Sequence, residues 1–296
     1  SLETVSGQLK AARDYAKSRA EATADKPLAR DQKQEAMLLV ADGKLVSNRT
    51  CRTTRDGCFI AAHDARTGKE LWKFFTTAAP GEPGGDTWGG LATERRLASS
   101  WGLPGSYDPK TKTTFWGIAN PIPFTRMKRH NGNPDAVARS SPAELYSNST
   151  VALDPDTGEY RWHYQTAPGE TWDFTATQPI VVANLNFASG VRRVIMQAPK
   201  NGFFYVLDAK TGELISGDAF APVNWASGID AATGKPIQNP ETRFDVTGKP
   251  AFVTPPWMKP LAMIMSFTPL RRIPVPLALA AVDVILKPFK SKATPL

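Results

Sequence analysis

Residues 178–216 set the pattern of the chain. "QPIVVANL" (178–185) and "RRVIMQAP" (192–199) are short apolar runs, followed by the hairpin signal "NG" (201–202), then "FFYVLD" (203–208) and "GELIS" (212–216). Runs this short, rich in branched and aromatic residues and closed by turn formers, predict four antiparallel strands. The first residues differ in texture. Residues 10–24 are Ala-rich and charged, which suits a helix, and turn signals thin out after Pro255.

A second regularity lies in the turns. "HDARTGKELW" (63–72) and "LDPDTGEYRW" (153–162) share an Asp, a Thr-Gly pair, and a Trp eight residues after the Asp. "YDPKTKTTFW" (107–116) keeps the Asp and Trp without the Gly, and "LDAKTGELIS" (207–216) keeps Asp and Thr-Gly without the Trp. An Asp at the start of a hairpin accepts backbone N–H groups, and Gly takes the left-handed conformation that closes the turn. The following strand then carries the Trp to a packing surface. Asp64, Asp108, Asp154 and Asp208 are 44, 46 and 54 residues apart. An all-β chain with a period near 50 predicts a β-propeller of four-stranded antiparallel blades, with Trp72, Trp116 and Trp162 as docking residues. Four or five blades fit residues 36–255, so the ring is expected to be incomplete. "IDAATGKP" (229–236) repeats the turn too soon for another blade and reads as a loop excursion. The domain division expected is 1–35, 36–255 and 256–296.

Composition narrows the function. The net charge is +8, but the tail holds Lys259, Arg271, Arg272, Lys287, Lys290 and Lys292 against Asp283 alone. The rest is near neutral, without a basic stripe interleaved with aromatics, so no nucleic-acid partner is expected. His63, His130 and His163 lie too far apart for a zinc spacing, and no Cys-x-x-Cys-His haem site occurs. Cys51 and Cys58 are compatible with free thiols or, in an exported protein, a local disulfide. The polar N-terminal stretch does not read as a secretory leader. The tail segment "IPVPLALAAVDVIL" is too short and too interrupted to span a bilayer.

"GETWDFTATQP" (169–179) places one acid, Asp173, between two aromatic rings. Taken alone, Asp173 is a turn residue, Lys200 a hairpin lysine, Trp101 core, and Asn120 a turn residue before Pro121. Together, "VALDPDTGEYRWHYQTAPGETWDF" (151–174), "QAPKNGFFYVLDAKTGELIS" (197–216), "VNWASGID" (223–230) and "CFIAAHDARTGKELW" (58–72) resemble the pyrroloquinoline-quinone (PQQ)-dependent alcohol dehydrogenases over about 36–255. The resemblance implies tryptophan-docking blades, PQQ and calcium as cofactors, and a periplasmic location, hence a Cys51–Cys58 disulfide. It implies oxidation of an alcohol, with electrons leaving to a separate acceptor such as cytochrome c. By the same resemblance Asp173 is the base and a calcium ligand, and Lys200 contacts the quinone oxygens. Trp101 stacks under the quinone with Ser99 nearby, and Asn120 ligates calcium. Thr175 stands where lanthanide-using relatives carry a second acid, which favours calcium. Trp172 and Phe174 are expected to keep water from Asp173 and so raise its basicity.

The chain also departs from that family. It lacks the adjacent Cys-Cys pair, and "SNRTCRTTRDG" (47–57) offers no glutamate ligand. A non-enzymatic propeller scaffold and a quinoprotein fragment without turnover are therefore the competing expectations. Homo-oligomerisation, or blades supplied from elsewhere, would complete the ring.

Overall fold

The computed structural model describes residues 38–254, apart from 134 and 138–141. The expected 10–24 helix, the 1–35 segment and the 256–296 tail lie outside these residues.

Three four-stranded antiparallel sheets follow one another along the chain. The first contains β1 (Leu38–Ala41), β2 (Lys44–Asn48), β3 (Phe59–Asp64) and β4 (Glu70–Phe75). The second contains β5 (Ser106–Asp108), β6 (Thr113–Gly117), β7 (Ser149–Leu153) and β8 (Tyr160–Gln165). The third contains β9 (Val181–Phe187), β10 (Gly190–Gln197), β11 (Phe203–Asp208) and β12 (Leu214–Ala219). Each sheet is ordered as its strands occur in the chain, the meander of a propeller blade. The four strands expected over 178–216 are all present, with ends shifted by up to three residues.

Among the described residues, three blades form where four or five were expected, with a hairpin of β13 (Ala226–Ile229) and β14 (Pro236–Gln238) after them. Asp64, Asp154 and Asp208 occupy equivalent turns between the third and fourth strands of their blades. In each, Oδ1 accepts two N–H groups: Arg66 and Thr67, Asp156 and Thr157, Lys210 and Thr211, at 2.7–3.1 Å. A register shift precedes each turn, at Ala62/His63, Ala152/Leu153 and Val206/Leu207. Asp108 does not belong with them. It closes the β5–β6 turn of the second blade without a register shift, and Lys112 takes the left-handed position at φ 49°. The motif encodes a local hydrogen-bonded turn, not a place in a blade. For the same reason Asp230 builds the turn again between β13 and β14, accepting from Ala232 and Thr233 at 2.7 and 3.1 Å. That segment is a strand pair rather than a loop excursion.

Docking of one blade on the next follows from the Trp positions. Trp72 on β4 donates from Nε1 to the Pro155 carbonyl in the next blade's turn, at 3.0 Å. A Cβ on Gly158 would lie 2.5 Å from the Trp72 ring, and one on Gly212 would lie 2.4 Å from the Trp162 ring. Glycine there lets each indole lie on the following turn. Trp116 is fully buried but sits on β6, facing the core shared with the first blade, so it is not a docking residue. Its neighbour Phe115 joins the core shared with the third blade. The middle blade is buried on both faces, which is why "STVAL" on β7 has no exposed position.

Charge also ties blades together. Arg193 on β10 donates to Asp108 of the second blade at 2.7 and 3.0 Å. Burial alone would raise the Asp108 carboxyl. The Arg193 guanidinium, Thr111 hydroxyl and Lys110 N–H overcome this and hold it below the ordinary carboxylate range. A depressed carboxyl stabilises the fold above its unfolded-state pKa, and the contribution is lost as pH falls through the folded value. Arg193→Ala should cost about 1–3 kcal/mol, because the buried carboxylate loses its cation. The check is the thermal midpoint against pH: the variant should start lower and lose less on acidification. A parallel curve would refute the pairing.

Cys51 and Cys58 form a disulfide across the β2–β3 connection. Alkylation without reductant should leave the intact mass unchanged; two added groups would mean free thiols.

Candidate functional site

Antiparallel pairing makes the second and fourth strands of a blade run the same way. Their exits therefore gather on one face, opposite the Asp turns. The β4–β5 connection carries Ser99 and Trp101, β6–β7 carries Asn120, β8–β9 carries Asp173, and β10–β11 carries Lys200. All five expected site residues stand on this face.

Backbone hydrogen bonds join the connections in a row. Ala119 N–H donates to the Ser99 carbonyl at 2.7 Å, and Ile122 to Leu97 at 2.7 Å. Ala176 donates to Ile118, and Lys200 to Thr175, both at 3.3 Å. Thus 97–99 borders 118–122, which borders 175–176, which borders Lys200.

Asp173 and Lys200 meet directly. The ammonium lies 3.2 Å from Oδ2 and also donates to the Asp173 main-chain carbonyl. Two contacts to one residue fix where the carboxylate points. Trp101 N–H donates to the Ser99 hydroxyl at 3.3 Å, and the residue is 45% exposed. Asn120 is only 7% exposed. Its segment bonds the segments of both other pairs.

Asp173 and Trp101 share a further property. Their φ values are 66° and 53°, in the left-handed region, which Asp tolerates and a bulky residue such as Trp rarely enters. Such strain persists only where surroundings over-determine it, and it concentrates at functional sites.

The expectation of a dry Asp173 is corrected. Its side chain is 42% exposed. Trp172 and Phe174 pack on each other at 5.6 Å and on Trp225 at 5.1 and 5.3 Å. Residues on either side of an extended or turn position share one side of the chain while the middle one faces the other. The two rings therefore anchor the turn in the core and leave the acid at the surface.

Sequence reading missed Glu170, which is completely buried three residues before Asp173. Burial pushes its carboxyl up to about 7, with the Asp173 charge adding to the rise and the Phe174 N–H, Arg129 and Trp172 N–H opposing it. Behind it, Arg129 and His130 from the short helix Arg126–Arg129 and its cap contact Glu144 at 3.2 and 2.9 Å. Local sequence does not report depth, so "PGETWDF" presented Glu170 as one more loop acid.

The residues fit a flat, anionic quinone: an exposed indole platform, an adjacent hydroxyl and a lysine. Calcium takes six to eight oxygens. Asn120 and Asp173 supply few of them, and among the described residues no three His, Cys, Asp or Glu side chains converge as a metal site.

A family model described as "PQQ: Glucose/ethanol/alcohol dehydrogenase, beta-propeller domain" matches residues 35–225. The chain is 39% identical over 206 residues to the dehydrogenase subunit of alcohol dehydrogenase (quinone) from Komagataeibacter europaeus, covering 64% of this chain and 27% of that one. The quinohemoprotein alcohol dehydrogenase ADHIIG of Pseudomonas putida HK5 superimposes with a TM-score of 0.65 at 34% identity, covering 79% of this chain and 35% of that one. The quinohemoprotein alcohol dehydrogenase of Comamonas testosteroni gives a TM-score of 0.58 at 35% identity, covering 71% and 32%. The chain therefore spans about a quarter of the length of the curated relatives it matches.

Proposed function

Given that this chain belongs to the PQQ-dependent glucose/ethanol/alcohol dehydrogenase β-propeller family, we propose that it oxidises an alcohol, using PQQ bound beside Trp101, Asp173 and Lys200. The observation that carries the reading is the Asp173–Lys200 contact, on the same face as the exposed, left-handed Trp101.

The chemistry assigns each side chain one task. PQQ, when bound, would supply the acceptor for the hydride that leaves the carbinol carbon. Asp173 takes the hydroxyl proton on its carboxylate, since an alcohol is far too weak an acid to ionise unaided at neutral pH. Lys200 holds that carboxylate through two contacts and presents positive charge to the quinone oxygens. Trp101 offers a flat apolar face for stacking. For calcium, Asn120 and Asp173 would be the ligands from this chain. No step is derived through the ion, because the donor set is incomplete.

A separate acceptor, cytochrome c or similar, would remove the electrons. The Pseudomonas relative named lupanine 17-hydroxylase [cytochrome c] supports an acceptor of that type. The Cys51–Cys58 disulfide supports a periplasmic location. The missing glutamate ligand favours a second reading, a fragment that binds quinone without turnover. Reconstitution with PQQ and calcium, followed by alcohol-dependent reduction of an artificial electron acceptor, separates the two. Alcohol-dependent reduction supports the enzyme; retained quinone without reduction supports the fragment.

A further inference from the structure

Glu170 has no part in the chemistry above, yet the geometry around it bears on Asp173. Its Oε1 accepts the Trp172 N–H at 2.5 Å and the Phe174 N–H at 2.9 Å. These two donors straddle Asp173. Successive N–H groups around a left-handed residue form a small concavity that suits an anion, and here the anion comes from the same chain. The turn is also held from behind. Arg129 donates to the Glu170 carbonyl, Arg243 to the Gly169 carbonyl at 2.8 Å, and the Trp172 indole to the Thr242 carbonyl at 2.8 Å.

We propose that Glu170 is a positioning residue whose buried carboxylate clasps the Trp172 and Phe174 amides, and so holds Asp173 in the left-handed conformation that meets Lys200. The functional part of this proposal rests on Asp173 being the base. Asp enters the left-handed region more readily than most residues, and charge-assisted bonds to the two flanking amides select that conformation over its alternatives. The second carboxylate oxygen, Oε2, is buried without a hydrogen bond. The interaction is therefore directed wholly at the turn.

The test compares wild type, Glu170→Gln and Glu170→Ala in the full chain, by the NMR shifts of the Trp172 and Phe174 amides and by kinetics of the PQQ-loaded protein. Both amides should move together in Glu170→Ala, and less in Glu170→Gln, which keeps an acceptor oxygen. Glu170→Ala should retain quinone absorbance and KM while kcat falls about 10- to 100-fold, the loss expected for a displaced base, and Glu170→Gln should recover part of it. Amides that stay still in Glu170→Ala would overturn the proposal, as would a wild-type kcat in that variant. Should Glu170→Ala not fold, the smaller concerted shift in Glu170→Gln decides. Shifted amides in a chain that takes up no quinone refute the dehydrogenase reading and leave the clasp standing. Quinone turnover with unmoved amides does the reverse.

Discussion

Asp173→Asn should leave PQQ bound and lower alcohol oxidation by at least about 10²-fold, the loss expected when a general base is removed. Asn keeps the volume and an oxygen that can still accept from Lys200, so the Lys200 contact and the left-handed turn should persist; Asn also tolerates that conformation better than most residues. What it lacks is an oxygen able to hold the alcohol's proton. The loss should therefore fall on kcat more than on KM. Lys200→Ala should act differently. It removes the ammonium that fixes Asp173 at 3.2 Å and the charge offered to the quinone, so it should weaken both quinone retention and turnover. Steady-state kinetics and quinone absorbance after desalting distinguish the two patterns. Unchanged turnover in Asp173→Asn would remove Asp173 from the mechanism.

The second large effect concerns stability. Trp162→Ala should lower unfolding free energy by about 3–5 kcal/mol, the cost of deleting a buried large aromatic. Trp162 lies in the core shared by the second and third blades, over the turn that contains Gly212. Gly212→Ala should also destabilise, for two separate reasons. Its φ of 74° is left-handed, which costs a residue with a Cβ about 1–2 kcal/mol. Its new methyl would also meet the Trp162 ring at 2.4 Å. The double variant separates these costs. With the ring gone the steric part disappears, so the double variant should be less destabilised than the sum of the singles. Denaturant unfolding of the four proteins measures this. Strict additivity would mean that the indole does not dock on the turn.

Much of the fold was legible because its signals are local. Asp, Thr and Gly at fixed offsets dictate one hydrogen-bonded turn, and all three Asp-x-x-Thr-Gly turns called as blade turns form at equivalent places. The same locality explains the errors. Asp108 carries the Asp-turn chemistry on the other hairpin of its blade, so a count of turns is not a count of blades. The "ATG" of 232–234 makes the turn on a mere strand pair. At the site, family resemblance singled out five residues, and chain topology places all five on one face. Their water exposure was not legible. Whether Trp172 and Phe174 cover Asp173 or turn to Trp225 depends on the path of the third blade, which "TWDF" does not contain. Glu170 went unnoticed for the same reason, since its role lies in depth and in the backbone it grips.

Quinone retention tests the central claim most directly. The full chain, incubated with PQQ and calcium and then desalted, should carry quinone absorbance with the protein peak, and Trp101→Ala should lose most of it while remaining folded. Absorbance that elutes wholly with the small molecules, from wild type and variant alike, would contradict the account.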